Sequence, residues 1–209
     1  DMGELEAFFD DLVQRYLAWA QVLIDWQDVR DDSIRTLEFP FATYRPGQRQ
    51  MAVNVYRGIK SAGQLIVQAP TGIGKTMAAV FPAVKALADG YTSKIFYLTA
   101  RTPVRTVAEK AVDDLRCRGL RLKSLTLTAK DKICFEPDAT CSADECEFAA
   151  GYYDRLRDAL PQAFQKDALT RETVEALARD FRLCPFEFSL ELSNYADCIV
   201  CDYNYAFDP

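Results

Sequence analysis

Ala69-Pro70-Thr71-Gly72-Ile73-Gly74-Lys75-Thr76 is the stretch on which the reading of this chain turns. A loop that holds phosphate needs backbone N–H groups aimed at the oxygens, glycines where the main chain must come close, a lysine for the terminal phosphates and a hydroxyl for magnesium. Gly72 and Gly74 permit the curve, Lys75 is placed to neutralise the β and γ phosphates, and Thr76 is placed to complete a magnesium shell. Ala69, a small residue, stands where the usual first glycine would be. Such a loop must leave a strand and open a helix: the apolar run at 65–67 predicts a short buried strand, and residues 76–88 predict the helix.

The pattern continues on both sides. Residues 94–99 read as a second strand, 103–116 as a helix with proline in its first turn, and 124–128 as a third strand. Strands alternating with helices imply an α/β fold, a P-loop (RecA-like) parallel sheet with helices on both faces. After about residue 130 the alternation breaks into a cysteine-bearing, acidic, helix-rich stretch, with helices near 148–160 and 171–182, before a strand at 197–201 resumes it. Upstream, Pro46-Gly47 precedes a helix at 49–60. Residues 4–27 predict a helix whose Leu5, Phe8, Phe9, Leu12, Val13, Tyr16, Leu17 and Ala20 form one buried face, followed by a polar link at 28–38. The expected organisation is therefore an N-terminal helix and linker (1–38), the first part of the sheet domain (39–129), an insertion (130–188) and a return to the sheet (189–209).

Composition narrows the chemistry. A chain of 209 residues, 49% hydrophobic and 27% charged, can bury one domain core and a small insertion. No apolar run approaches the roughly 18 residues that span a bilayer, and the first residues are acidic where a signal peptide would be basic, so the expectation is a soluble cytosolic protein. The complete lack of histidine excludes Ser-His-Asp and Cys-His catalysis and mixed Cys/His zinc fingers. The net charge of -6 is uneven: residues 94–132 hold ten basic and four acidic side chains, and 133–209 hold six basic and sixteen acidic. The basic stretch suits a phosphate backbone, or equally a solvated helix face.

Seven cysteines without an export signal suggest thiols or metal ligands rather than disulfides. Cys134, Cys141, Cys146 and Cys184 follow a C-x6-C-x4-C-x37-C spacing, without the C-x2-C pair common in structural zinc sites. All-thiolate coordination suits an iron–sulfur cluster, and Pro185 after Cys184 makes a turn that can present a thiolate. Cys198 and Cys201 alternate with Ile199 and Val200 as core residues would, and Cys117 has no assigned role. Two other readings stay open on these residues: a P-loop phosphotransferase or GTPase with a four-cysteine structural zinc, and a non-catalytic redox or interaction module.

Taken together, Phe39-Pro40-Phe41, Tyr44-Arg45-Pro46-Gly47-Gln48, the loop, Tyr97-Leu98-Thr99-Ala100-Arg101-Thr102, the cysteines with Cys184-Pro185-Phe186, and Asp202-Tyr203-Asn204-Tyr205-Ala206-Phe207-Asp208-Pro209 resemble the XPD/DinG-type superfamily 2 iron–sulfur DNA helicases. The resemblance covers roughly residues 39–209 and is closer to bacterial members, because the first three cysteines are tightly spaced. It implies an ATP-driven motor moving 5′ to 3′ on single-stranded or forked DNA, in DNA repair or replication, in the bacterial cytosol or nucleoid. The implied cofactors are ATP, Mg2+ and a 4Fe-4S cluster, and the remainder of the helicase chain is an implied partner. Residue by residue, it assigns Tyr44, Arg45 and Gln48 to the nucleotide, with Gln48 at the adenine edge. Pro70, Thr71, Gly72, Ile73, Gly74, Lys75 and Thr76 go to phosphate and magnesium, Lys75 and Thr76 being the catalytic pair. Thr99, Arg101 and Thr102 go to DNA, and Cys134, Cys141, Cys146 and Cys184 to iron. Hydrolysis also needs an Asp-Glu pair. Asp202 ends an apolar strand, but Tyr203 follows it, and the family places its acidic box shortly after a segment of this kind. The expectation is a fragment that binds ATP without hydrolysing it robustly alone.

Overall fold

The computed structural model describes residues 2–100 and 102–207. Its centre is a four-stranded sheet, order β1-β4-β2-β3, in which β1 is Ile95–Thr99, β2 Ser124–Thr126, β3 Ala168–Leu169 and β4 Cys198–Asp202. Every pairing is parallel, with Ile95 opposite Cys198 through Thr99 opposite Asp202. Parallel strands must be linked by crossovers, and the helices that supply them cover both faces.

One face packs against α1 (Met2–Thr36), α3 (Lys75–Ala88) and α4 (Thr102–Arg116), through Ile34, Met77, Val80, Val84, Val112 and Leu115. The other packs against α6 (Tyr152–Phe164), α7 (Arg171–Asp180) and α8 (Pro185–Ser193), through Leu156, Val174, Leu177, Phe188 and Leu192. The alternation of β4 divides its side chains between these cores: Cys198 joins the first, while Ile199 and Cys201 join the second. Both cysteines are buried, as their strand-like setting predicts, and burial pushes the Cys198 thiol up to about 12. Besides these, α2 (Gln48–Lys60) lies along α3, and α5 (Lys130–Ile133) and α9 (Asn204–Phe207) are single turns. Residues 168–169 of the cysteine-bearing stretch supply β3, so that stretch contributes an edge strand to the sheet as well as helices.

Two expectations fail. Residues 65–67 are not a buried strand: they carry no strand hydrogen bonding, and Ile66 is 97% exposed. A strand in a parallel sheet is held by pairing with a neighbour, and among the described residues 65–67 pair with none, although the outer edge of β1 is open. The first helix is also longer than expected and is packed at its other end. It runs through the supposed polar link to Thr36, and its buried residues are Arg30 and Ile34. Leu5, Phe8, Phe9, Tyr16 and Leu17, expected to face a core, are exposed.

What holds the inner half of α1 is polar chemistry that composition disguises as a linker. Arg30 is ion-paired with Asp197 at 2.7 Å and with Asp31 at 2.8 Å. Asp197 also accepts from the Trp26 indole at 3.2 Å and from the Lys123 backbone N–H at 2.9 Å. The Lys123 ammonium sits 3.7 Å from the Trp26 ring centroid and 4.0 Å from that of Phe164, and donates to the Phe164 carbonyl. Burial lowers its pKa to about 8, outweighing the attraction of Asp167 and Asp197.

Candidate nucleotide and metal site

The phosphate loop follows the 65–67 segment and opens α3. Gly72 (φ +86°) and Gly74 (φ +79°) both lie in the left-handed region, the conformational need that glycine meets. Gly74 has a second reason: a Cβ there would stand 2.3 Å from Nε2 of Gln48. The left-handed Gly47 precedes α2 and Gln48 begins it, 2% exposed, with both ends of its amide engaged. Its Oε1 accepts from the Arg45 N–H at 3.1 Å and its Nε2 donates to the Gly74 carbonyl at 3.2 Å. Arg45 in turn donates to the Gly72 carbonyl. The Lys75 ammonium folds back on its own loop, donating to Ala69 O at 3.2 Å and Pro70 O at 2.8 Å. Thr76 Oγ1 lies 3.5 Å from the Tyr97 hydroxyl of β1.

A cavity of about 210 Å3 is lined by Arg45, Gln48, Gly74 and Thr76 together with Lys110 and Asp114 of α4. Four of the residues expected at the nucleotide thus meet in one place. Tyr44 does not join them: it stacks on Phe39, ring centroids 3.8 Å apart at 18°, and faces a different groove. Thr71 is exposed and Ile73 half-buried in the loop.

Of the residues expected at DNA, Arg101 lies outside the described residues, as does the side chain of Thr102. Thr99 is buried at the end of β1, where its carbonyl accepts from the Tyr203 N–H at 3.1 Å. The basic stretch at 94–132 is largely committed to the fold. Lys94 donates to the carbonyls of Ser193 and Asn194, Arg118 to that of Pro40, and Arg116 to Leu122 O, Ser124 Oγ and Asp167 O. Arg121 pairs with Asp167 at 2.6 Å, and Lys123 is caged as described. Arg105, which no sequence signal singles out, is buried, ion-paired with Asp202 and bonded to Leu127 O at 3.3 Å. Asp202 is thus the ion-pair partner of Arg105 at the end of β4.

Cys134, Cys141, Cys146 and Cys184 all line one pocket of about 240 Å3, with Lys130 and Glu187 at its wall. Cys134 ends α5, and Cys184 is the residue before Pro185 at the start of α8. Burial raises the Cys184 pKa, against the N–H groups of Glu187 and Phe186, which favour its thiolate. The pKa of Lys130 is raised by its hydrogen bond with Cys141. All seven cysteines are free thiols, and no three Cys, Asp or Glu side chains among the described residues are close enough to hold a metal ion. The donor set is therefore gathered but not closed. Four thiols converging on one concavity fit a cuboidal cluster, which takes one cysteine per iron.

Comparison with known proteins bears on this geometry. The sequence profile of the family described as DEAD/DEAH box helicase matches residues 45–176. This chain belongs to the DEAD/DEAH box helicase family. The match spans α2, the phosphate loop, three strands and most of the cysteine-bearing stretch, and ATP with Mg2+ is typical of the family. The DEAD/DEAH box chain is similar to the general transcription and DNA repair factor IIH helicase subunit XPD of Arabidopsis thaliana, 22% identical over 210 residues, covering 83% of this chain and 27% of the relative. The same subunit of Dictyostelium discoideum is 19% identical over 202 residues, covering 82% and 26%. A probable ATP-dependent helicase of Methanocaldococcus jannaschii is 43% identical over 47 residues, 22% of this chain and 7% of that one. A solved structure described as an XPD helicase shares the fold, with a TM-score of 0.55 at 18% identity, covering 80% of this chain and 29% of the other. The chain spans about a quarter of the length of the two XPD relatives. No helix among the described residues is long and apolar enough to cross a membrane.

Proposed function

We propose that this chain is the nucleotide-binding part of an ATP-dependent DNA helicase of the XPD/DinG type, carrying a 4Fe-4S domain beside its single-stranded DNA path. The observation that carries the reading is the convergence of four thiols on one pocket in a chain whose phosphate loop belongs to the DEAD/DEAH box family. Movement from 5′ to 3′, action on forked DNA in repair or replication, and a place in the bacterial cytosol or nucleoid follow from the resemblance.

At the loop, Lys75 exchanges its bonds to the Ala69 and Pro70 carbonyls for the β and γ phosphates of ATP, a charge-assisted contact stronger than either. Thr76, at the N-terminus of α3, would offer its hydroxyl to Mg2+, and the start of that helix is where the dipole favours the negative charge of the phosphates. Gln48 keeps one N–H and one lone pair of its amide beyond its bonds to Gly74 and Arg45, enough to read an adenine edge while staying tied to the loop. Thr99, Arg101 and Thr102, at the carboxyl end of β1, form the DNA contact. Cys134, Cys141, Cys146 and Cys184 would hold the cluster. When bound, an iron–sulfur cluster supplies a covalent cross-link between the segments that carry its cysteines. With Tyr203 standing where the hydrolytic Asp-Glu pair needs its glutamate, these 209 residues bind ATP without hydrolysing it robustly, and the remainder of the helicase chain completes the motor.

The test uses the full-length protein. Lys75→Ala should abolish strand separation and leave the iron content intact, whereas Cys134→Ser should lose both cluster and strand separation. Unwinding retained in either variant would overturn the proposal, as would vigorous DNA-stimulated ATP hydrolysis by the 209-residue chain alone.

A further inference from the structure

The cations left over by the fold lie in an unexpected place. While the 94–132 stretch turns most of its basic side chains inward, α2 and α3 enclose an open groove of about 540 Å3 whose rim carries Arg49, Arg57 and Lys60. The guanidinium groups of Arg49 and Arg57 have no hydrogen-bond or ion-pair partner among the described residues. Arg49 has only its charge interaction with Tyr44. Lys60 rests 5.1 Å from the centroid of the Tyr91 ring. Positions 49, 53, 56 and 60 recur at helical spacing, so Arg49, Val53, Tyr56 and Lys60 share one face of α2, and all line the groove. Its floor is Ala52, Val53 and Pro82, and its aromatic walls are Tyr44, Tyr56 and Phe81. The lining has one carboxylate, Asp89, and this accepts the Tyr56 hydroxyl. The fourth cation, Lys85, is withdrawn to cap α1 at the carbonyls of Ile34 and Arg35.

Unpartnered guanidinium groups beside half-buried aromatic rings are the two ingredients of sequence-tolerant single-strand binding: cations track the phosphates and aromatics stack the bases. Length favours a strand over a lone nucleotide. From Arg49 to Lys60 is about 16 Å of helix, room for a strand with more than one phosphate. The groove runs down α2 away from the loop, since Gln48 at the head of the helix meets Gly74 while Tyr56 meets Asp89 at the end of α3.

We propose that the α2–α3 groove is a second binding surface for single-stranded nucleic acid, separate from the carboxyl edge of the sheet, with Arg49, Arg57 and Lys60 on phosphates and Tyr56 available to stack a base. The inference rests on the nucleic-acid reading of the chain, but its test is independent of the phosphate loop. A fluorescent oligothymidylate is titrated against the chain across a salt series, with wild type compared to the Arg49→Ala/Arg57→Ala double variant. Each phosphate contact adds about 0.7 to the magnitude of the log–log salt slope on single strands, so losing two should reduce it by about 1.4. Affinity at low salt should fall about tenfold, while Mg-ATP binding and the thermal midpoint stay unchanged. In a separate Tyr56→Leu variant affinity should fall about fivefold or more with the salt slope unaltered, as lost stacking requires.

An unchanged slope in the double variant overturns the proposal, as does failure of wild type to bind the oligomer. Thymidine monophosphate binding as tightly as the oligomer would replace the strand with a mononucleotide site. A glutamate-rich peptide weakened by the same substitutions, with oligothymidylate unaffected, would make the groove a protein-docking surface and equally sink the idea. Loss of unwinding in Lys75→Ala reports on the loop and the salt slope on the groove, so either reading can fail alone.

Discussion

Around the phosphate loop, Gln48, Arg45 and Lys75 each hydrogen-bond to loop carbonyls, whereas on the other face of the sheet four thiols line one pocket without a disulfide or a closed ligand group among the described residues. The loop is bent before its ligand arrives, by two left-handed glycines and a buried amide. The cysteine pocket is positioned by its surroundings: α8 presents Cys184, and Ile133 at the end of α5 anchors the turn that ends in Cys134. Preorganisation therefore comes from polar contacts within one site and from apolar packing behind the other, and perturbing each side should give different symptoms.

Phe188 is fully buried in the core behind the cysteines. Phe188→Ala should cost about 3–5 kcal/mol of stability, read in denaturant unfolding, with nucleotide affinity of the folded fraction unchanged. An equal loss of nucleotide affinity would mean that the two faces are not separable.

The seam between the faces can be examined through Lys123, where Trp26 of α1 and Phe164 of α6 meet. Its folded pKa of about 8 lies below the ordinary 10.5, so between those pH values the unfolded chain retains a proton that the folded chain has released. Stability then rises with pH through that window. Relative to Lys123→Met, which lacks the group, wild type should gain roughly 3 kcal/mol from the bottom of the window to the top. A flat difference in urea melts over that range would show that the ammonium is not desolvated by the two rings.

The smallest effect concerns the loop. Gly74→Ala must place a Cβ against the Gln48 amide at a φ of +79°, at a cost of about 1–3 kcal/mol. Pairing it with Gln48→Ala, which removes the clashing atoms, should recover the steric part of that loss but not the strain of the left-handed backbone. Full recovery would show that the conformation itself is not strained for alanine.

How far the sequence could be read depended on how local each signal is. The loop, α2, α3 and the strands β1, β2 and β4 carry their own punctuation: Gly47, Gly72, Gly74, Pro185 and apolar runs at the right period, whereas the two-residue β3 has no such signal. These expected elements are displaced from expectation by only a few residues. Residues 65–67 have an equally good strand composition, yet a strand exists only by pairing, and among the described residues these make no strand pairing. Residues 28–36 looked like a linker because Arg30, Asp31 and Asp32 are charged, but Arg30 is buried against Asp197, a partner 167 positions away that no local pattern announces. The outer half of α1 has the periodicity of a buried face and no core beside it. At the site, spacing identified the four pocket-lining cysteines. It could not separate cations bound for the surface from those, such as Arg105 and Arg116, that cap carbonyls inside.

The central claim is that the cysteine pocket closes on an iron–sulfur cluster in the same domain as the phosphate loop. Its most direct test is iron and acid-labile sulfide measured on the chain purified without oxygen. The account predicts about four irons and as many sulfides per chain, lost in Cys141→Ser with the fold retained. Stoichiometric zinc, or no metal with the four thiols freely titratable, would contradict it.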